Sequence, residues 1–107
     1  MNTYLQVVTT TQNREDANKI ARLLVEKRLA ACVQLCGPIE SIYWWKENLE
    51  TTAEWICYIK THRNLYDKVE EAIKTIHPYE TPEIIALPIV SGSHEYLEWI
   101  GHETRMT

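Results

Sequence analysis

His77, Tyr79, Glu80 and Glu83 fall within one short segment, His77-Pro78-Tyr79-Glu80-Thr81-Pro82-Glu83-Ile84-Ile85-Ala86-Leu87-Pro88. An imidazole, a phenol and two carboxylates are groups that hold cations or pass protons. Three prolines in these residues fix much of the backbone, because each locks its own φ and restricts the residue before it. The turn therefore holds the four side chains in nearly constant mutual positions. That suits a binding site, and it equally suits a plain helix-to-strand connection. His77 is a candidate ligand for a soft or borderline metal; alternatively it closes a helix C-terminus, where a cation is favoured. Lys60, at the end of an apolar run, offers a partner for Glu80 or Glu83. The pair reads as a partly buried ion pair or as the wall of an anion or carboxylate pocket. His62 and His94 stand near helix starts and His102 in the tail, and all three read as solvated.

Other chemistries find little support. With only three glycines, the chain has no phosphate-cradling loop, and it has neither a zinc-type cysteine pairing nor an H-E-x-x-H helix. No Ser-His-Asp or Cys-His-Asp set is singled out by spacing, and spacing does not exclude one, because such groups meet in space rather than in sequence. Cys32, Cys36 and Cys57 are an odd count, which argues against a closed disulfide framework. On one strand Cys32 and Cys36 stand roughly 13 Å apart, too far to bridge or to chelate one ion. All three read as small buried apolar residues in a reducing compartment.

Composition narrows the class. A chain of 107 residues makes one domain, residues 1–107, and can bury a core without metal or disulfide staples. Eleven basic against fifteen acidic residues leave a net charge of −4, scattered and without a basic stripe, so nucleic acid is not expected as a partner. No apolar run is long enough for a bilayer. The start, Met1-Asn2-Thr3-Tyr4, lacks the basic and apolar regions of a signal peptide, and the cytoplasm is the expected compartment.

The elements that must position the turn follow from patterning. Thr3–Thr10 reads as a strand. Asn13 caps a helix with Asp16 at its third position, and Ala17, Ile20, Ala21, Leu24 and Val25 form its apolar face. Residues 31–35 and 39–45 read as one long strand, bulged at Gly37-Pro38. Lys46–Thr52 reads as a polar hairpin loop, and Ala53–Lys60 as the third strand. Asn64 and Asp67 offer caps for a second helix, carried by Leu65, Val69, Ala72, Ile73 and Ile76 and stopped by Pro78. Ile84–Val90 is an edge strand containing Pro88. Ser93 caps a short helix through Ile100, closed by Gly101. This βαββαβ order predicts an α+β, ferredoxin-like split βαβ sandwich with both main helices on one sheet face.

The third strand is apolar on both faces. Trp55, Cys57 and Ile59 alternate with Ile56 and Tyr58, and Tyr43, Trp44 and Trp45 repeat the pattern. An antiparallel sheet normally wets the face its helices leave bare. That face is expected to pack against copies of itself, with Tyr43, Trp44, Trp45 and Trp55 at the interface.

Four stretches together carry a family resemblance. Leu29-Ala30-Ala31-Cys32-Val33, Ser41-Ile42-Tyr43-Trp44-Trp45-Lys46, Ile59-Lys60-Thr61 and His77-Pro78-Tyr79-Glu80-Thr81-Pro82-Glu83 resemble the CutA divalent-cation tolerance family in order and spacing, over nearly the whole chain. The resemblance implies a ferredoxin-like fold, a very stable homotrimer without enzymatic activity, a link to copper and other divalent cations, and structural kinship with PII-type signalling trimers. It also implies a copper site built from a cysteine at the end of the first strand and a His-His pair before Pro-Tyr. Those positions are Thr9 and Ile76-His77 here, so only His77 matches. Three functions are therefore carried forward. They are a divalent-cation (copper) tolerance trimer, a PII-like small-molecule sensor with an inter-subunit cleft at Lys60, Tyr79 and Glu83, and a scaffolding trimer that recruits proteins.

Overall fold

The computed structural model describes residues 3–104. The chain runs β1 (Tyr4–Thr11), α1 (Arg14–Glu26), β2 (Cys32–Trp45), β3 (Asn48–His62), a 3-10 turn (Arg63–Leu65), α2 (Tyr66–Ile76), β4 (Ile84–Pro88) and α3 (His94–Glu103). Every strand pair is antiparallel, in the order β2-β3-β1-β4. This is the α+β arrangement that the periodicities predict, with β4 at an edge where Pro88 needs no ladder donor.

Register divides the sheet into two faces, because directly paired residues share a side. Val7 pairs with Ile59, which pairs with Val33, and Cys57 pairs with Leu35. These residues join Ala17, Ile20 and Leu24 of α1 and Val69 and Ile73 of α2 in one core cluster, so both long helices cover that face. The opposite face carries Val8, Tyr58, Gln34 and Ile85 across the four strands. At its Tyr4 end α3 seats so closely that a Cβ on Gly101 would lie 2.8 Å from the Tyr4 hydroxyl. Ile100 of α3 is fully buried. Farther along, Ile85 and Leu87 remain about half exposed.

Four local expectations change. The loop expected at Lys46–Thr52 is a two-residue turn, Lys46-Glu47, both at positive φ (49° and 68°). This mirror-type turn matches strand twist and lets pairing run out to Trp45↔Asn48. The 3-10 turn before α2 is capped by the His62 imidazole, which accepts from Asn64 N–H at 3.0 Å, rather than by Asn64 or Asp67. The fourth strand stops at Pro88 rather than Val90. The last helix passes through Gly101 to Glu103, since Gly101 serves the close approach to Tyr4 rather than a stop. Two caps stand as read: Asn13 accepts from Asp16 N–H at 2.8 Å, and Ser93 from Tyr96 N–H at 3.2 Å.

The bulge falls between Cys36 and Ile39. Gly37 is required there, because a Cβ would meet the Trp55 ring at 2.7 Å. Beyond Trp55, the last β3 partner of β1, the β2–β3 hairpin continues with no third strand among the described residues. This arm lengthens the molecule to 44 × 25 × 21 Å.

Candidate functional site

The rigid turn meets the base of the arm, and the two enclose an open hollow of about 1010 Å³. Its positioning begins at the end of α2. Pro78 prevents the helix from continuing, and His77 becomes the C-cap, its N–H donating to Ile73 O at 2.9 Å. The imidazole is buried and fully used. Nδ1 accepts from Tyr79 N–H at 3.1 Å, which leaves Nε2 to donate to Thr10 O at 2.7 Å. The ring centroid also lies 4.8 Å from that of Tyr79. His77 thus ties α2, β1 and the turn together and aims Tyr79 at the arm.

The Tyr79 hydroxyl donates to Glu54 Oε2 at 2.8 Å. Glu54, on β3, is only 6% exposed, yet it faces the hollow. Glu83 stands on the same wall. Burial, and then the nearby Glu54 charge, push the Glu83 carboxyl above its ordinary range. The Tyr79 phenol is pushed far up, first by burial and then by its bond to Glu54 and the charge there. Both stay protonated longer than their free counterparts. Tyr43 and Trp45 supply aromatic surface from the arm, with the Tyr43 hydroxyl accepting from Thr52 at 3.3 Å.

The remaining sequence candidates are placed differently. Lys60 lies six residues along β3 from Glu54, roughly 20 Å, and its ammonium reaches Gln34 at 3.0 Å. Within one chain it is beside neither Tyr79 nor Glu83. The cation that meets Glu80 is Lys46, at 3.4 Å, from the arm tip. Among the aromatic candidates, Tyr43 and Trp45 share the face of Glu54, as the pairs Ile39↔Glu54, Tyr43↔Glu50 and Trp45↔Asn48 require. Trp44 is on the other side of the arm beside Leu49, 71% exposed. Trp55 is half-buried against the helix-side core, beneath the Arg14 guanidinium at 5.8 Å.

Glu54 escaped the sequence reading. Its signal was a lone acid in an apolar run, between Ala53 and Trp55, which a buried strand tolerates only with a partner. That partner, Tyr79, is 25 residues away and is brought close only by the fold.

The residues do not fit the copper site implied by the resemblance. Thr9 is fully buried on the helix side, and its hydroxyl has no hydrogen-bond partner among the described residues. Its cross-strand neighbour Cys57 is a thiol, but burial pushes it up to about 12, so it is no thiolate. His77 would have to release a backbone bond to offer a lone pair. Among the described residues no group of three or more His, Cys, Asp or Glu comes together in a metal-holding cluster.

Comparison with known proteins agrees with this architecture. The family model described as "CutA1 divalent ion tolerance protein" matches residues 5–103. Protein CutA 1, chloroplastic, of Oryza sativa subsp. japonica is 42% identical over 99 residues, covering 92% of this chain and 56% of that protein. The divalent-cation tolerance protein CutA of Thermus thermophilus is 42% identical over 98 residues, covering 92% and 95%. The chain spans about half the length of the rice relative and nearly all of the Thermus one. The crystal structure of CutA1 from Oryza sativa superimposes with a TM-score of 0.94 at 40% identity, over 99% of this chain and 97% of that one.

Proposed function

We propose a function from one premise, that the chain belongs to the CutA1 divalent ion tolerance family. It works as a non-enzymatic homotrimer in divalent-cation tolerance, and its ligand site is the hollow where the turn meets the arm. The observation that carries this reading is Glu54, a buried carboxylate held by Tyr79 and facing open space beside Glu83. Such a site costs stability unless a ligand or a neighbouring subunit uses it. The trimer is favoured by apolar groups that one chain leaves exposed: Ile85 and Leu87 on the sheet, and Ile42, Trp44 and Leu49 on the arm. A reducing cytoplasm suits three free cysteines, of which Cys36 is exposed. Copper held through His77 is weak in this reading, because both ring nitrogens already bond to backbone.

A second reading, a PII-like small-molecule cleft completed between subunits, is favoured by the size of the hollow, far larger than one ion needs. Lys60 joins it only as a residue brought from another copy. One experiment separates the two. Copper, other divalent cations and a panel of organic ions are titrated into the purified protein, with a competing chelator of known affinity for the metals. Saturable metal binding lost in Glu54→Gln supports the first reading. A thermal shift with an organic ion in the presence of chelator supports the second. Tight copper binding that vanishes in His77→Ala refutes the assignment of the site to the hollow.

A further inference from the structure

The charge and lining of the hollow restrict what it takes. Glu54 and Glu83 are acidic, and neither meets a Lys, Arg or His within ion-pair distance among the described residues. Glu54 is more than nine-tenths buried, and one of its oxygens accepts from Tyr79. The other oxygen, Oε1, accepts no hydrogen bond from the described residues and is not sealed from solvent, so it is open to the hollow. A carboxylate so placed calls for a donor that carries positive charge. An anion is disfavoured by both acids. A bare divalent ion wants six or more oxygens, or a compact set of strong donors. Of the three carboxylates that line the hollow, Glu80 is paired with Lys46; the other two give neither, and no three-ligand cluster is present among the described residues. The other walls mix hydroxyl and amide groups with the aromatic surfaces of Tyr43, Trp45 and Tyr79, and aromatic ring faces attract organic cations. The Trp45 ring already lies 5.5 Å from the Lys46 ammonium, within the range of that attraction.

We infer that the hollow binds an alkylguanidinium or alkylammonium group, its charge on Glu54 and Glu83 and its carbon chain against Tyr43 and Trp45. The inference rests on the second of the two readings, an organic-ligand cleft at the hollow, and names the chemistry of what enters. That group has two sources: a free small amine, or a lysine or arginine side chain of a second copy of this chain.

The test uses the purified protein in its native assembly, with n-butylguanidinium as probe and n-butylurea as a neutral control of similar shape. Binding is followed by tryptophan fluorescence and by the amide spectrum. For a free ligand, n-butylguanidinium saturates, n-butylurea binds at least tenfold more weakly, and Glu54→Gln weakens the cation at least tenfold. Glu83→Gln, at a more exposed position, weakens it several-fold and guards against a folding defect in the first variant. For a second copy as source, the probe fails to bind the assembled protein, while both variants raise the subunit dissociation constant at least tenfold. Equal binding of the cation and the urea overturns the inference. So does saturable binding of Mg²⁺ or Cu²⁺ that needs Glu54 and is not displaced by the probe, although the hollow then remains a ligand site. If no probe binds and both variants, folded by their amide spectra, assemble like the parent protein, the inference and the ligand-site reading fall together.

Discussion

The two ends of β3 obey different rules. From Cys57 to Thr61 every odd residue is sealed under the two long helices, and the strand is held from both sides by β1 and β2. From Leu49 to Glu54 the same strand has one neighbour, and on one side its apolar groups stand in the open with Ile42 and Trp44. The inner end is stabilised by burial within one chain. The outer end has apolar surface but no cover of its own, and its single buried acid points at the hollow. One strand thus supplies the fold at one end and the interaction surface at the other.

The largest test of this contrast is a pair of truncations. Ile59→Ala should lower the unfolding free energy by about 2–5 kcal/mol, the cost of a cavity in a closed core. Ile42→Ala should change the stability of a lone chain by less than about 0.5 kcal/mol. Urea midpoints measured over a range of protein concentrations compare them. A comparable loss for Ile42→Ala that grows with protein concentration would place that side of the arm inside an assembly.

Next in size is Tyr79→Phe, which leaves Glu54 without its donor. A hydrogen bond to a charged group contributes about 1.5–3 kcal/mol, so equilibrium unfolding should show a loss near the lower figure. An unchanged midpoint would mean that water takes over the donation and that the outer end is wetter than described.

Thr9→Val should act in the opposite direction. It removes a buried hydroxyl that has no partner among the described residues and keeps the volume, and a gain of about 1 kcal/mol is expected. A loss would reveal a partner for that oxygen in the assembled protein.

The smallest effect is a pH slope. Glu83 has a raised pKa in the folded state, so the fold binds its proton more tightly than the unfolded chain does. The stabilisation is fully present below the ordinary carboxylate value of about 4.5. It is lost as pH rises through the raised folded value. Glu83→Gln should therefore differ little from the parent protein at pH 4 and gain relative to it by pH 7. Thermal unfolding across that range decides, and a constant difference would mean that neither burial nor the Glu54 charge raises the Glu83 carboxyl.

Much of the body was legible because its signals are local. Asn13 and Ser93 cap where a polar residue precedes an apolar helical stripe, and Gly37-Pro38 marks the bulge that register confirms. The hairpin tip was not legible. Lys46-Glu47 lacks the glycine or asparagine that ordinarily announces a mirror-type turn, and the polar run after it looks like loop although it is strand. The turn from His77 to Glu83 was readable as rigid, but not the direction in which it points. Three of its contacts, to Thr10, Glu54 and Lys46, lie far away in sequence. Lys60 was offered by charge as a partner for Glu80 or Glu83; within one chain, strand geometry carries it to the other end of β3.

The central place of β1 bears on how the chain is made. Val8 pairs with Tyr58 on one side and Ile85 on the other, 50 and 77 residues later. Sheets built from such distant pairings form slowly, because long loops must close before contacts reward them. During synthesis at about 5–20 residues per second, Leu5, Val7 and Val8 therefore emerge seconds before either neighbour exists. For that interval the strand destined for the middle of the sheet is an apolar segment with two open edges, exposed to whatever else the nascent chain meets.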